Sequence, residues 1–302
     1  MDGRWRSPSP VAGSPGPLSG LGQPPPAQMF LTSPMDPNTT MSDKLTERLQ
    51  SELASFQTIW KGGYFEGPVL SELQFSGGYG SCGYMSVVYA TYLKCIKPYI
   101  NSESVVLEIG PGRGTWTKTM LGAKKVVVMD ALSAEHNDFW RFVGDRPNVE
   151  YIEVKDFSCD QLPDNFFNYV FSFGCLCHIS FDGIAEYATN LFPKLRSGCN
   201  CFWMIADYDK ANTIPMREGD LDIYLHLLER KKVLFPLYVI YKSLKRTKPT
   251  YDKNEDDTPR PARWYHAGLD RCCEMLESKG YRIIERDTGT LHRDPIIHFT
   301  KD

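Results

Sequence analysis

Five near-continuous apolar runs, at Val105–Ile109, Val126–Met129, Val149–Val154, Tyr169–Phe173 and Cys201–Ala206, are separated by segments long enough for crossover helices. A strand that is apolar along its whole length is buried on both sides, and strands alternating with helices pair in parallel. Further on, His266 to Lys279 has the spacing of an amphipathic helix ended by Gly280, and Tyr281–Arg286 and Pro295–Thr300 read as two closing strands. The expected fold is α/β and Rossmann-like: a seven-stranded, mostly parallel sheet with helices on both faces.

The rest of the chain attaches to that alternation. Residues 1–40 are crowded with Pro, Ser and Gly and carry too few apolar side chains to offset the entropy of ordering them, so a disordered tail is expected. Residues 41–100 form an N-terminal helical and Gly/Tyr-rich lid segment. Within it, Ser42 is a plausible N-cap, and Leu45, Leu49, Leu53, Phe56 and Trp60 recur at helical spacing. Glycine-rich stretches follow in which Tyr64 and Tyr79 offer flat walls with polar tips, and Met85 to Tyr99 reads as a second helix stopped by Pro98. Residues 101–302 form the main domain, with a helical cap inserted after the fifth strand at about 210–265.

Composition narrows the function. At 302 residues and 42% hydrophobic the chain can bury one large core, and a net charge of −3 offers no global field for a phosphate backbone. No nucleic-acid partner is expected. No run of about 18 apolar residues exists and the N-terminus lacks a secretory core, so the expected location is cytoplasmic, without stable membrane insertion. Nine cysteines without a regular framework fit a compartment where thiols stay reduced. Cys175 and Cys177 follow the fourth strand while Cys199 and Cys201 begin the fifth. Such pairs stand about 17 Å apart, a strand length, which is too far for one zinc ion, and no metal site is expected. In the cap, Leu234–Tyr241 followed by Lys242, Lys245, Arg246 and Lys248 invites a membrane-surface reading, against which stand Pro236 and the acidic Glu255–Asp257.

The chemistry concentrates in Glu108-Ile-Gly-Pro-Gly-Arg-Gly114, a strand end whose glycines are expected to make a tight turn into a helix and to let bare backbone approach a ligand. A nicotinamide dinucleotide competes for such a turn, but its fingerprint wants a third glycine where Thr115 stands. Asp130, about 20 residues beyond Gly110, fits either ligand as a ribose-binding acid. Glu108 separates them, since a carboxylate there repels a pyrophosphate.

With Val126-Val-Val-Met-Asp130, Val154-Lys-Asp-Phe157, Tyr169 through His178 and Leu195-Arg-Ser-Gly198 in order behind the turn, the chain resembles the class I S-adenosylmethionine-dependent methyltransferase superfamily from about Met85 onward. The resemblance implies S-adenosyl-L-methionine as cofactor. It implies Glu108 near the methionine ammonium, Gly110, Gly112 and Gly114 as a floor, Asp130 on the ribose hydroxyls, Asp156 and Phe157 at the adenine, and Ser172 lining the sulfonium end.

Methyl transfer asks the protein mainly to align a nucleophile and exclude water. His178 is the best-placed general base, and Asp207 is a further candidate for proton removal or substrate binding. Tyr208 joins Tyr64 and Tyr79 as a substrate-lid residue, and His266 is a further candidate from above. The expected activity is methylation, on oxygen, of a small polar metabolite. A catalytically silent cofactor- or partner-binding protein and a protein methyltransferase are the alternatives.

Overall fold

The computed structural model describes residues 41–60, 69–70, 81–82, 85–213 and 264–302. The expected tail, the lid with Tyr64 and Tyr79, and the body of the cap lie outside the described residues. The main sheet has seven strands: β1 (Val105–Ile109), β2 (Lys125–Asp130), β3 (Val149–Glu153), β4 (Phe167–Ser172), β5 (Leu195–Met204), β6 (Tyr281–Glu285) and β7 (Ile296–Lys301). Their order is β3-β2-β1-β4-β5-β7-β6.

The first five strands pair in parallel, and β7 lies antiparallel to both β5 and β6. Ten residues join β6 to β7, too short for the crossover that a parallel pair needs, so this pair closes as a hairpin. The chain runs outward from β1 to β3 and then returns to lay β4 on the other side of β1. Loops leaving β1 and β4 therefore diverge, and a crevice opens at the carboxyl ends of these strands.

Strand alternation divides the core into two layers. Val105, Leu107 and Ile109 join Val127 and Met129 beneath α1 (Met41–Ile59), α4 (Phe181–Leu191) and α6 (Leu269–Ser278). Val106, Val126 and Val128 join Tyr169, Phe171 and Phe202 beneath α2 (Val87–Thr91), its π-helical continuation Tyr92–Ile96, and α3 (Phe139–Val143). Local chemistry starts the helices: the Ser86 hydroxyl accepts from Tyr89 N at α2, and the Ser180 hydroxyl accepts from Gly183 N at α4. A short α5 (Tyr208–Thr213) follows β5.

One local expectation fails. The glycine turn was expected to open a helix, but from Gly110 to Lys124 the chain makes turns and a single 3-10 turn, Thr117–Thr119. Gly110, Gly112 and Gly114 have φ of +70°, +52° and +95°, so every second residue leaves the right-handed helical region and no helix can nucleate there. Trp116, Thr117 and Met120 are buried, so the loop packs as part of the core.

Helix α1 is fastened by a buried carboxylate. Leu49 and Leu53 face the sheet layer, and between them Glu52 accepts from Ser180 N at 2.5 Å and from the Ser180 hydroxyl at 2.7 Å. Burial pushes the Glu52 carboxyl above its usual range despite these bonds. An exposed Arg48–Asp182 ion pair flanks the contact. No helix among the described residues is long and apolar enough to cross a membrane. Substituting Glu52→Ala strands two buried donors on Ser180 and is expected to cost about 1–3 kcal/mol, measured as a lowered denaturation midpoint. Limited proteolysis should then cut within residues 41–60 before it reaches the sheet.

Candidate functional site

A cavity of about 230 Å³ opens at the carboxyl ends of β2, β1, β4 and β5. Its floor is the turn Gly110–Arg113 with Thr115 and Trp116. Asp130, Leu132 and Asn137 close one end, Phe173–Cys175 and Cys177–Ile179 form the middle, and Met204, Trp264 and Arg293 lie toward the β5 side. Leu53, Phe56 and Trp60 of the α1 segment cover it.

The turn is shaped by close approach. A Cβ added at Gly110 would stand 2.3 Å from Cys175 Cβ, inside any real contact, and the Gly110 N–H donates to Met129 O at 2.7 Å. Gly112 donates to Asp130 Oδ2 at 3.2 Å, so the turn is tied to the next strand. Gly114 packs against α3, where a Cβ would meet Val143 Cγ2 at 2.2 Å. Gly110 and Gly112 line the cavity and Gly114 does not.

Asp130 ends β2 with its carboxylate among backbone donors: Leu132 N donates to Oδ1 at 2.9 Å opposite Gly112, and Asn137 adds a side-chain bond. Burial outweighs these bonds and pushes its pKa up to about 6. Asn137 is itself held by donating to the Tyr151 hydroxyl at 2.8 Å, which in turn donates to Leu132 O at 2.8 Å.

Glu108, for which the resemblance implies a place near the methionine ammonium, is buried behind the turn. Along β1 it alternates onto the α2/α3 layer with Val106, is 2% exposed, and accepts from the Thr117 hydroxyl at 2.6 Å. It is not part of the cavity wall. Burial pushes its carboxyl up to about 8, with the Asp130 charge adding to the rise. Its place is behind the loop, holding the 3-10 turn against the strand.

The remaining candidates divide in the same way. His178 lines the cavity, its ring 5.6 Å from Trp60 and 6.1 Å from Trp264 by centroid. Ser172 is fully buried and donates to Ile109 O at 3.0 Å, so it ties β4 to β1 while Phe173 and Gly174 beyond it reach the cavity. Asp156 is exposed and accepts from Ser158 N at 2.9 Å in a local turn, outside the cavity wall. Phe157 is buried one layer back, edge-on to Tyr187, which does line the cavity.

Asp207 caps two helices at once, accepting from Lys210 N at 3.0 Å in α5 and from Leu269 N at 2.8 Å at the start of α6. Tyr208 is buried, with its hydroxyl donating to Trp264 O and its N–H donating to His266 Nδ1 at 3.0 Å. Neither reaches the cavity. Cys199 and Cys201 are buried with their sulfurs 3.9 Å apart, and among the described residues no group of His, Cys, Asp and Glu is arranged to hold a metal.

Sequence reasoning missed Arg113, Asn137, Trp264 and Arg293, all on the cavity wall. Arg113 sits inside the very turn that was singled out, but attention fell on its glycines. Arg293 lies in the β6–β7 hairpin, 163 residues beyond Asp130, and nothing local marks it.

No family model matches the chain, and no curated protein matches it. Among solved structures it is similar to an S-adenosylmethionine-dependent methyltransferase from Mesorhizobium loti, at 12% identity over 71% of this chain and 98% of that one, with a TM-score of 0.47. It is also similar to a SAM-dependent methyltransferase from Methanosarcina mazei, at 15% identity over 68% and 96%, with a TM-score of 0.41. Fibrillarin from Aeropyrum pernix, in complex with natively bound S-adenosyl-L-methionine, is similar at 13% identity over 70% and 74%, with a TM-score of 0.42. At such scores these likenesses decide nothing about ligand or reaction, which rest on the cavity itself.

The buried Glu108 has a measurable signature. Its folded pKa of about 8 stands above the ordinary 4.5, so the native state keeps a proton that the unfolded chain releases first. Its contribution is therefore fully present at low pH and is lost as pH rises from about 5 to 8, by up to about 1.4 kcal/mol per pH unit. Glu108→Gln, which still accepts from Thr117, should gain stability relative to the parent by at least about 1 kcal/mol between pH 5.5 and 8.5 in urea titrations. Parallel curves would show that Glu108 titrates normally.

Proposed function

We propose that this chain is a class I S-adenosylmethionine-dependent methyltransferase that methylates an oxygen of a small polar metabolite. The observation that carries the reading is that Asp130 and the Gly110–Gly112 turn face one cavity at the strand-order reversal of the sheet, where open α/β folds bind their ligands. The residues present fit the cofactor. Gly110 and Gly112 bring bare backbone to the cavity where a Cβ at Gly110 would clash with Cys175, and Asp130 offers two carboxylate oxygens to adjacent ribose hydroxyls, with Asn137 beside it.

Glu108, Gly114 and Ser172 serve this site by holding its turn and strand ends. Asp156 and Phe157 stand outside the wall and take no ligand contact in this reading. When bound, S-adenosylmethionine supplies an electrophilic methyl group on a sulfonium.

The chain's own part is to bind, align and dry the reactants. Trp60, Phe56, Trp116, Phe173 and Trp264 give the cavity wall apolar surface, which would limit water around bound reactants. His178, flanked by two indoles, is assigned the proton of an acceptor hydroxyl, because it is the only histidine on the cavity wall among the described residues. Asp207, with both carboxylate oxygens engaged in capping, is assigned no chemistry. A cavity of about 230 Å³ suits a metabolite rather than a nucleic acid, and nine cysteines without a regular framework suit the cytoplasm.

Calorimetry tests the premise. S-adenosylmethionine should bind the parent chain, and Asp130→Ala should weaken it at least about tenfold, the loss of a charged double acceptor. Because Asp130 titrates near pH 6, affinity should fall as pH drops through about 6 and hold above it. Absence of binding to the parent sinks the reading. Incubation with methyl-labelled cofactor and a metabolite extract then separates an enzyme from a silent binder. His178→Gln should lower the rate of labelling by about 10²-fold or more while leaving cofactor affinity within about threefold.

A further inference from the structure

At the β2 side of the cavity the hydrogen bonds form a closed circuit. Leu132 N donates to Asp130 Oδ1 at 2.9 Å, and the carbonyl of the same residue accepts from the Tyr151 hydroxyl at 2.8 Å. That hydroxyl accepts in turn from Asn137 Nδ2 at 2.8 Å, and the Asn137 side chain returns to Asp130. Asp130, Leu132 and Asn137 line the cavity, whereas Tyr151 stands outside its wall on the edge strand β3. The Tyr151 ring is set edge-on against Phe139 of α3, with 4.9 Å between centroids. The backbone of the loop has supports of its own, since Asn137 N donates to Ser133 O at 3.1 Å and Phe139 N to Ala134 O at 2.9 Å. What the Tyr151 hydroxyl adds is the orientation of one buried amide and one peptide carbonyl.

From this circuit we propose that Tyr151 is a positioning residue for cofactor binding: its hydroxyl, outside the cavity, sets Asn137 and the Leu132 peptide so that Asp130 meets both ribose hydroxyls at once. The inference rests on the cofactor reading for its ligand. Asn137 is 0% exposed, and an amide cut off from solvent takes the orientation its partners give it. A carboxylate whose rotation is already fixed leaves less to be ordered when a ligand arrives, and each bond of a circuit polarises the next. The charge of Asp130 depends on the same contacts. Burial lifts its pKa to about 6, while bonds from Leu132, Gly112 and Asn137 and the nearby His136 oppose the rise. Glu108 of β1, Cys175 beyond β4 and Tyr187 of α4 face it from the other elements. Loosening Asn137 removes one of the opposing bonds, so the Asp130 carboxyl moves further up.

The test is calorimetric titration of the full chain with S-adenosylhomocysteine and with its 2′-deoxy and 3′-deoxy analogues. The variant is Tyr151→Phe, which keeps the ring against Phe139 and removes only the hydroxyl. The parent should prefer the complete ribose by at least about tenfold, as for a hydrogen bond to a charged group. Tyr151→Phe should narrow that preference by at least about threefold, because a loosened Asp130 weakens two bonds to the complete ribose and one to each analogue. Asn137→Ala should narrow it likewise, and the double variant should lose less than the product of the two losses, since both act through one carboxylate. In the ligand-free chain, carbon-13 titration should place the Asp130 carboxyl higher in Tyr151→Phe than in the parent. An unchanged preference, an equal loss for all three ligands, or an unmoved Asp130 titration overturns the proposal. Should Tyr151→Phe fail to fold, Asn137→Ala decides, and a preference kept in full without the amide overturns the proposal. If S-adenosylhomocysteine does not bind the parent, the cofactor reading fails, while the titration, which needs no ligand, still decides whether Tyr151 positions Asp130.

Discussion

Where β1 meets β4 the strand order of the sheet reverses, and the Ser172 hydroxyl locks that junction by donating to Ile109 O at 3.0 Å. One residue beyond Ile109 the backbone turns left-handed at Gly110, close enough to Cys175 that a single methyl group would not fit. Two loops leaving adjacent parallel strands are thereby pressed together at their roots and forced apart above. The cavity is the space this divergence leaves. Asp130 draws the third strand into the arrangement by accepting from Gly112 at 3.2 Å, so β2, β1 and β4 are held in one constellation by the turn.

Three carboxyls serve this frame, and all three are pushed up by desolvation. They differ in what they face. Glu52 meets Ser180 and fixes a covering helix, Glu108 meets Thr117 and fixes a loop, and Asp130 alone opens on the cavity. An acid that is paired internally by a hydroxyl is a fastening, and an acid exposed to a cavity is available to a ligand. The distinction rests on the direction of a side chain and not on residue type.

The strands were legible because burial on both faces demands apolar residues at every position, which is a local signal. β1, β2 and β3 lie within one residue of their expected limits, and the amphipathic segment before Gly280 forms α6. β5 starts at Leu195, six residues before its expected start, because Leu195 already pairs with Phe167, after which the chain bulges through 196–199, with Gly198 at φ +76°, and resumes pairing at Asn200. The helix expected after the glycine turn was misread from the same glycines that marked the turn. Asp207 shows the other limit: a carboxylate at a strand end looks catalytic in sequence, and its two cap bonds come from helices 61 residues apart at Tyr208 and Leu269.

The sequence by itself determined the sheet, its alternation with helices, the glycine turn and the acid at the end of β2, since each follows from burial, backbone freedom or spacing within a few residues. Only the tertiary structure decided which groups share the cavity. Arg293, Trp264 and Trp60 come from three separate parts of the chain, and Glu108, Asp156 and Asp207 turn away from it to satisfy Thr117, Ser158 and two helix ends. A side chain's partner is chosen among everything packed around it, and that choice is made by folding, beyond the reach of local pattern.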